Sequence, residues 1–401
     1  MDPFQQRLTE LQALASGSDM SLTTRRLMDV CDEFPELYDL REQAIRLRAD
    51  YNMGRDLGAS ELSGTAASTF SARAQALVQE VEQRSARNIS RIPVAQLPVF
   101  QARGLTKSFR SGGHHFTLGP IDLELYTGRI TGLVGENGNG KTTLLRQVAG
   151  LLDHDGGTCS YPGTATDPHL IKRGIAWIPQ RSIRWHGTLL QNLRFVAALH
   201  GLRGAANADR VEYTLHRLGL TRFKDLTWKQ LSSGYKLRFE LAKMVIWRPR
   251  ILVLDEPIAN LDLQAQQLFL QDLKHLAGSH RDPVSVILSS QQLHEIEAIA
   301  DHIIFLKNGK PVFNGASTDF DTERTSNVFE IKGEFDRQRL EQVLGAGNFL
   351  HIDDTGLILR LTTPRHLTAR DVVRALGNAH LEVSYFRDIS TSTRKLFHQD
   401  T

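Results

Sequence analysis

Residues 130 to 143 read Ile-Thr-Gly-Leu-Val-Gly-Glu-Asn-Gly-Asn-Gly-Lys-Thr-Thr. Gly135, Gly140, Lys141 and Thr142 satisfy the pattern G-x-x-x-x-G-K-[ST]. The pattern calls for an apolar strand, a glycine-rich turn and a helix, and the text supplies all three, the helix running through Leu144 and Leu145. Its chemistry is anion binding. Glycines let the main chain wrap closely, so that successive N–H groups, including those around Asn137, Gly138 and Thr143, point at phosphate oxygens. The helix N-terminus adds its positive dipole end. Lys141 would neutralise the β- and γ-phosphates and the Thr142 hydroxyl would ligate Mg²⁺.

A second chemical signal stands downstream. Ile251-Leu-Val-Leu-Asp-Glu-Pro is an apolar run ending in two carboxylates. Such a run reads as a strand buried on both faces, and the C-terminal ends of such strands are where ligands bind in open α/β sheets. Asp255 is expected to hold the magnesium shell. Glu256 is expected to orient or deprotonate an attacking water, a general-base role. Paired acids at a strand end can also be plain solvated turn residues; the phosphate loop upstream favours the functional reading.

The elements that must position these groups are legible as texture. From Val99 to about Gly315, short apolar runs alternate with helical stretches, the mark of an α/β fold with a largely parallel sheet. Residues 1–88 read as helical by periodicity. Ser21 or Thr23 is expected to cap a helix through Leu27 and Val30, and Pro35 interrupts. Glu36 to Tyr51 continues, Gly54 to Thr69 reads as a loop, and Ser71 to Arg87 as a last helix. Residues 89–98 carry two prolines and read as a linker. Beyond the core, residues 326–397 read as β-α-β-β-α-β, the ferredoxin-like plan: strands at 328–332, 349–352, 357–361 and 381–386, helices at 336–344 and 368–376. His114-His115 falls between the first strands of the core and reads as a loop.

Bulk composition narrows the function classes. Among 401 residues, 48 are basic and 45 acidic, a formal net charge of +3. That excess is too small for the concentrated basic footprint of a nucleic-acid binder. Cys31 and Cys159 are the two cysteines, too few for a disulfide framework. No apolar run approaches a membrane span, and the first residues lack the pattern of a signal peptide. The chain is therefore expected to stay in the cytoplasm, with any membrane spans carried by another protein.

With these residues in hand, the chain resembles the ABC ATPase superfamily over about residues 99–315. The motifs fall in the family's order. Leu105-Thr-Lys-Ser-Phe109 resembles the stretch carrying the adenine-stacking aromatic, here Phe109. Trp177-Ile-Pro-Gln180 resembles the glutamine loop, whose Gln180 would contact Mg²⁺ and report nucleotide state to a helical subdomain. Thr188 to Phe195 follows, as in that subdomain, which in the family receives a coupling helix from a membrane partner. Leu231-Ser-Ser-Gly-Tyr235 stands at the L-S-G-G-Q signature: Ser232 and Gly234 match, while Ser233 and Tyr235 replace a glycine and a glutamine. The signature caps the γ-phosphate bound by the opposite subunit. Asn260-Leu-Asp262 resembles the loop that joins two sites across a dimer. Where the family commonly has a switch histidine, this chain has Gln291, and His294 lies three residues later. Glutamine cannot be protonated at neutral pH, which leaves three outcomes: Gln291 suffices to position water or phosphate, the site hydrolyses slowly, or a heteromeric partner supplies a complete second site. The intact Lys141, Asp255 and Glu256 favour a working but slower ATPase.

The fold class implied is an α/β P-loop ABC-type core with a helical subdomain, an all-α N-terminal extension and a small α+β C-terminal domain. The closest resemblance is to ATP-binding subunits of drug, polysaccharide or lipid exporters. ATP and Mg²⁺ are the implied cofactors. A second ATP-binding subunit, forming a homodimer, and an integral membrane permease are the implied partners, placing the chain on the inner face of the membrane. The N-terminal extension reads either as a helical hairpin packed on its own ATPase or as a docking module for a partner protein or membrane component. Two other functions compete: a non-transport ATPase of the same superfamily, and a nucleotide-sensing scaffold with little turnover.

Overall fold

The computed structural model describes residues 3–17, 19–56, 65–88, 96–111, 114–164, 167–181, 184–279, 281–320, 326–345, 347–354, 356 and 358–388. Helices α1 (Pro3–Ser16), α2 (Met20–Glu33), α3 (Tyr38–Asp56) and α4 (Thr65–Asn88) come first. The strands β1 (Pro98–Ser111), β2 (His114–Tyr126) and β3 (Ile130–Val134) follow, then α5 (Lys141–Val148), β4 (Gly156–Ser160), α6 (Pro168–Arg173) and β5 (Ile175–Ile178). Next come α7 (Leu189–Leu199), α8 (Gly204–Arg217), α9 (Ser233–Val245), β6 (Ile251–Leu254), α10 (Leu263–Ala277) and β7 (Ser285–Ser290). Beyond these lie α11 (Leu293–Ile296), β8 (His302–Lys307), β9 (Lys310–Ala316), α12 (Ser317–Phe320), β10 (Ser326–Gly333), α13 (Arg337–Leu344), β11 (His351–Asp354), β12 (Leu359–Pro364), α14 (Ala369–Asn378) and β13 (Val383–Asp388).

The chain divides into two compact units, one of Met1–Ile130 with Thr142–Ser289, the other of Thr131–Lys141 with Ser290–Thr401. In the first, β5, β6 and β7 are parallel neighbours, and β1 pairs antiparallel with both β2 and β4. Every residue of β6 and β7 is buried, which is why β6 is a continuous apolar run and β7 carries Val286, Ile287 and Leu288 in succession rather than alternating with polar residues. In the second unit, β3 is parallel to β8 and β8 antiparallel to β9. The same unit holds a four-stranded antiparallel sheet in the order β11-β12-β10-β13. Phe329, Ile331, Leu340, Ile352, Leu361 and Val372 close a core between that sheet and α13 and α14.

The N-terminal helices bury Phe4, Leu8, Leu11, Leu27, Phe34, Leu40, Ala44, Leu47 and Val81 in one core, at the three- and four-residue spacing of helix faces. That core also takes in Tyr213 of α8, so the extension packs on its own ATPase. Charges complete the joint. Arg25 pairs with Asp272 of α10 and its Nε donates to the Arg217 carbonyl at 2.5 Å. Asp29 forms an ion pair with Arg217 of α8 at 2.7 Å and accepts from Arg26 at 3.1 Å. Arg25, Arg26, Asp29 and Asp272 are each no more than 3% exposed.

Several boundaries differ from the expectation. The α2 cap is Asp19, whose Oδ1 accepts the Leu22 N–H at 2.9 Å. Neither Ser21 nor Thr23 serves there; the Thr23 hydroxyl turns back to the Asp19 carbonyl at 2.8 Å. The expected loop at 54–69 is shorter at both ends, since α3 runs to Asp56 and α4 starts at Thr65. Ala66 and Ala67 are strong helix formers and outweigh the serines and threonines beside them. Residues 57–64 and, within the expected linker, 89–95 lie outside the described residues. His114-His115 opens β2 rather than a loop, with His115 opposite Arg110.

Candidate active site

The glycine-rich turn lies between β3 and α5. Lys141 is 4% exposed, and its ammonium donates to the carbonyls of Gly135 at 2.7 Å and Glu136 at 3.1 Å. Gly135 has a backbone reason of its own. A Cβ there would stand 2.6 Å from the Leu306 carbonyl oxygen, at φ +158°, so the loop departs where β3 lies tight against β8. Gly138 and Gly140 take φ of +84° and +91°, which favour glycine. Asn139, 7% exposed, accepts the Asn308 N–H on its Oδ1 at 2.8 Å and ties the loop to the β8–β9 turn. The pattern treats residue 139 as free, so this tie was missed in the sequence.

In the other unit, a chain of hydrogen bonds joins five residues. Thr142, the first residue beyond Lys141, donates to Asp255 Oδ2 at 2.8 Å. The Ser289 hydroxyl donates to Asp255 Oδ1 at 2.8 Å and accepts the Glu256 N–H at 2.8 Å. Gln180 Nε2 donates to Glu256 Oε2 at 2.8 Å. Asp255 and Glu256 are 4% and 7% exposed, and Ser289 is fully buried. Glu256 sits at φ +44°, a left-handed conformation uncommon for a residue with a side chain and typical of functional turns. The sharp turn swings its carboxylate off the line of β6 toward Gln180.

Thus Thr142, Gln180, Asp255 and Glu256 come together. Gln180 bonds Glu256, the expected water-orienting group, and not Asp255. Ser289 was missed, although it lies in the stretch that carries Gln291; serine on a buried strand was the available signal, since its hydroxyl must find partners. Gln291 is half-buried, in the turn between β7 and α11. The side chain of His294 lies outside the described ones.

The other expected residues sit on distinct elements. Phe109, on β1 opposite Phe116, is 41% exposed, as a stacking platform must be. Ser232 is the N-cap residue of α9 and is exposed; its side chain makes no capping bond. Ser233 is the exposed first residue of that helix. A Cβ on Gly234 would stand 3.3 Å from the Ala265 Cβ, so this turn packs on the start of α10. Asp262 caps α10, accepting the Ala265 N–H at 2.8 Å. Tyr235 rests on Phe223, with ring centroids 4.0 Å apart.

The donor set fits a hard divalent cation. Thr142 Oγ1 and Asp255 Oδ2 are oxygen ligands already 2.8 Å apart, and the second Asp255 oxygen is held by Ser289. Such a sparse set, completed by water and phosphate, suits Mg²⁺. Among the described residues no cluster of three or more His, Cys, Asp or Glu could hold a metal by itself.

A glycine-rich phosphate loop, a parallel sheet and a carboxylate pair at a strand end define a P-loop ATPase. The family model described as "ABC transporter" matches residues 118–259. Nod factor export ATP-binding protein I of Cupriavidus metallidurans is 30% identical over 241 residues, 59% of this chain and 77% of that protein. The daunorubicin/doxorubicin resistance ATP-binding protein of Streptomyces peucetius is 28% identical over 286 residues, 69% of this chain and 85% of that protein. In fold, the chain is similar to cbiO1 from Clostridium perfringens, part of an ABC transporter complex, with a TM-score of 0.51 and 21% identity over 62% of this chain and 94% of that one. The chain belongs to the ABC transporter ATP-binding protein family. It is an ATP-binding and ATP-hydrolysing subunit of that family.

Proposed function

We propose that the chain powers export through a separate membrane permease, hydrolysing ATP at a site shared between two copies of itself. The observation that carries this reading is the bonded set Gln180–Glu256–Ser289–Asp255–Thr142. Phe109 stacks the adenine. The loop from Gly135 to Thr143, with Asn137 and Gly138 in its turn, wraps the phosphates, and Lys141 exchanges its bonds to loop carbonyls for bonds to phosphate oxygens. Thr142 and Asp255, with Gln180 nearby, would hold Mg²⁺, which when bound offsets the charge of the β- and γ-phosphates. Glu256 orients the attacking water and takes up its proton, with Gln180 fixing one carboxylate oxygen. Ser232 and Gly234, at the start of α9, cap the γ-phosphate of the partner copy, and Asp262 links the two sites.

Export follows from the two relatives whose names concern export and drug resistance, the second of which aligns beyond the length of the ATPase core. No helix among the described residues is long and apolar enough to cross a membrane; the permease of this reading is a separate protein, and this chain docks on its inner face. Gln291 at the switch position makes turnover slower than histidine would.

The test is ATP hydrolysis and size-exclusion chromatography of the purified protein. Glu256→Gln is expected to abolish turnover and to trap an ATP-bound dimer, and Gln291→His to raise turnover severalfold. A Glu256→Gln variant that binds ATP and stays monomeric would refute the shared site. Binding without turnover in the unmodified chain and in Gln291→His alike would leave a nucleotide-sensing scaffold.

A further inference from the structure

A second cavity lies away from the ATP site, where α2 and α3 of the N-terminal bundle meet the ATPase core. It has a volume of about 280 Å³, several times the roughly 30 Å³ of one water. Arg41, Arg210, Arg248 and Arg281 line it. They come from four separate places: α3, α8, the turn after α9 and the segment after α10. Two carboxylates answer these four guanidinium groups. Asp32 accepts from Arg41 at 2.6 Å and from Arg281 at 3.1 Å, and Asp282 pairs with Arg248 at 2.9 Å. Two positive charges are left over. Among the described residues the Arg210 guanidinium makes no hydrogen bond and no ion pair. Its pKa is lowered, first by burial and then by Arg248, as expected of a cation crowded by another cation.

We propose that this cavity is a binding site for a phosphate dianion, either free orthophosphate or the phosphate group of a small ester. A phosphate carries two negative charges above its second pKa, about 6 for esters, which equals the surplus. Guanidinium groups bind phosphate oxygens through paired N–H donors and are the usual residues for the task. Tyr213 and Tyr38 also line the cavity; Arg41 sits over the first ring, 4.9 Å from its centroid, and Arg281 over the second, 5.2 Å from its centroid. These aromatic faces hold two of the cations in place before any anion arrives. The cavity is at the small end of ligand pockets, so the organic part of an ester would be short. A phosphate here touches both the N-terminal bundle and the core, and so fastens one to the other. It also sits at the far ends of α9 and α10, whose first turns carry Ser232, Gly234 and Asp262.

The test is calorimetric titration of the full chain at fixed ionic strength, in a Lys141→Ala background so that the phosphate loop does not contribute. The probes are orthophosphate and sn-glycerol 3-phosphate. One equivalent of either is expected to bind, and the tighter of the two names the source. Arg210→Gln is expected to weaken binding about tenfold, the loss of one charge-assisted contact. The Arg210 guanidinium supports nothing else by hydrogen bond or ion pair, so the variant should fold. Asp282→Asn frees Arg248 and is expected to tighten binding, a change in the direction that misfolding cannot mimic. No binding of either probe in the Lys141→Ala chain overturns the site, as does binding indifferent to both Arg210→Gln and Asp282→Asn.

Discussion

Ser289→Ala is a sharp perturbation of the hydrolytic machinery, because one hydroxyl serves two groups. It donates to Asp255 Oδ1 and accepts the Glu256 N–H, both at 2.8 Å, with no solvent access to replace it. Alanine leaves a buried N–H without an acceptor and removes one donor from a buried carboxylate. An orphaned buried polar group costs about 1–3 kcal/mol. Glu256 is held in a left-handed turn at φ +44°, so the N–H bond that is lost also fixes the direction of the carboxylate. If half or more of the cost falls on the transition state, about 0.5–3 kcal/mol, kcat drops roughly 2- to 140-fold, at about 1.4 kcal/mol per tenfold. Lys141 and the main chain of the phosphate loop are untouched, so the KM for ATP should change less than threefold, within about 0.7 kcal/mol. The assay is steady-state ATP hydrolysis beside fluorescent-nucleotide binding and a melting curve. Ser289→Cys retains a weak donor and should recover part of the rate. A kcat unchanged in Ser289→Ala, or a loss residing wholly in KM, would refute Ser289 as the residue that positions Glu256.

Two further expectations concern the joint between the N-terminal bundle and the core. Asp272→Ala leaves Arg25, Arg26 and Arg238 facing one another without their shared carboxylate, and should cost about 3–5 kcal/mol in urea unfolding. Arg25→Met with Asp272→Leu should restore most of it, since a packed apolar pair avoids the charge burial; a double variant as unstable as the single would argue against this account. The second expectation is acid sensitivity. Burial is the main cause that lowers the His275 pKa from 6.5 to about 4. Arg7 donates to its Nδ1 at 2.9 Å while Nε2 faces Glu10 at 3.0 Å, so the neutral ring fits and a proton on Nδ1 does not. The unfolded ring takes its proton near pH 6.5 and the folded one near 4. Stability is therefore full above pH 6.5 and falls by roughly 3 kcal/mol as the pH drops to 4. Asp29 adds a lower window: its pKa falls from 3.8 to about 2 despite burial, through Arg217 and then Arg26, so its contribution is lost as pH drops below 3.8. Urea midpoints of the native chain and His275→Gln between pH 7.5 and 4.5 check this, and equal slopes would refute it.

The site was legible where chemistry demands fixed spacing. A phosphate loop needs its glycines, lysine and hydroxyl within eight residues, so Gly135 to Thr142 could be read directly. Asp255 and Glu256 were legible because four buried apolar residues precede them. Ser289 and Asn139 were not, since each acts through a partner remote in sequence, Asp255 and Asn308 respectively. The left-handed turn at Glu256 has no letter of its own either; it is set by the bonds from Ser289 and Gln180 after the strands have paired.

The N-terminal bundle shows the other limit. Periodicity marks its helices, because Phe4, Leu8 and Leu11 repeat on one face. Nothing in that periodicity marks Arg25, Arg26 and Asp29 as buried, since charged residues are usually exposed. They are buried because their counter-charges arrive from Arg217 and Asp272, some 190 to 250 positions later. A bundle that buried those charges alone would face the full desolvation cost; on α8 and α10 each charge finds a partner. The charge pattern of α2 thus makes sense only against this ATPase core. It argues that the extension is built into the core that carries the signature and Asp262, and is not an appendage free to leave it.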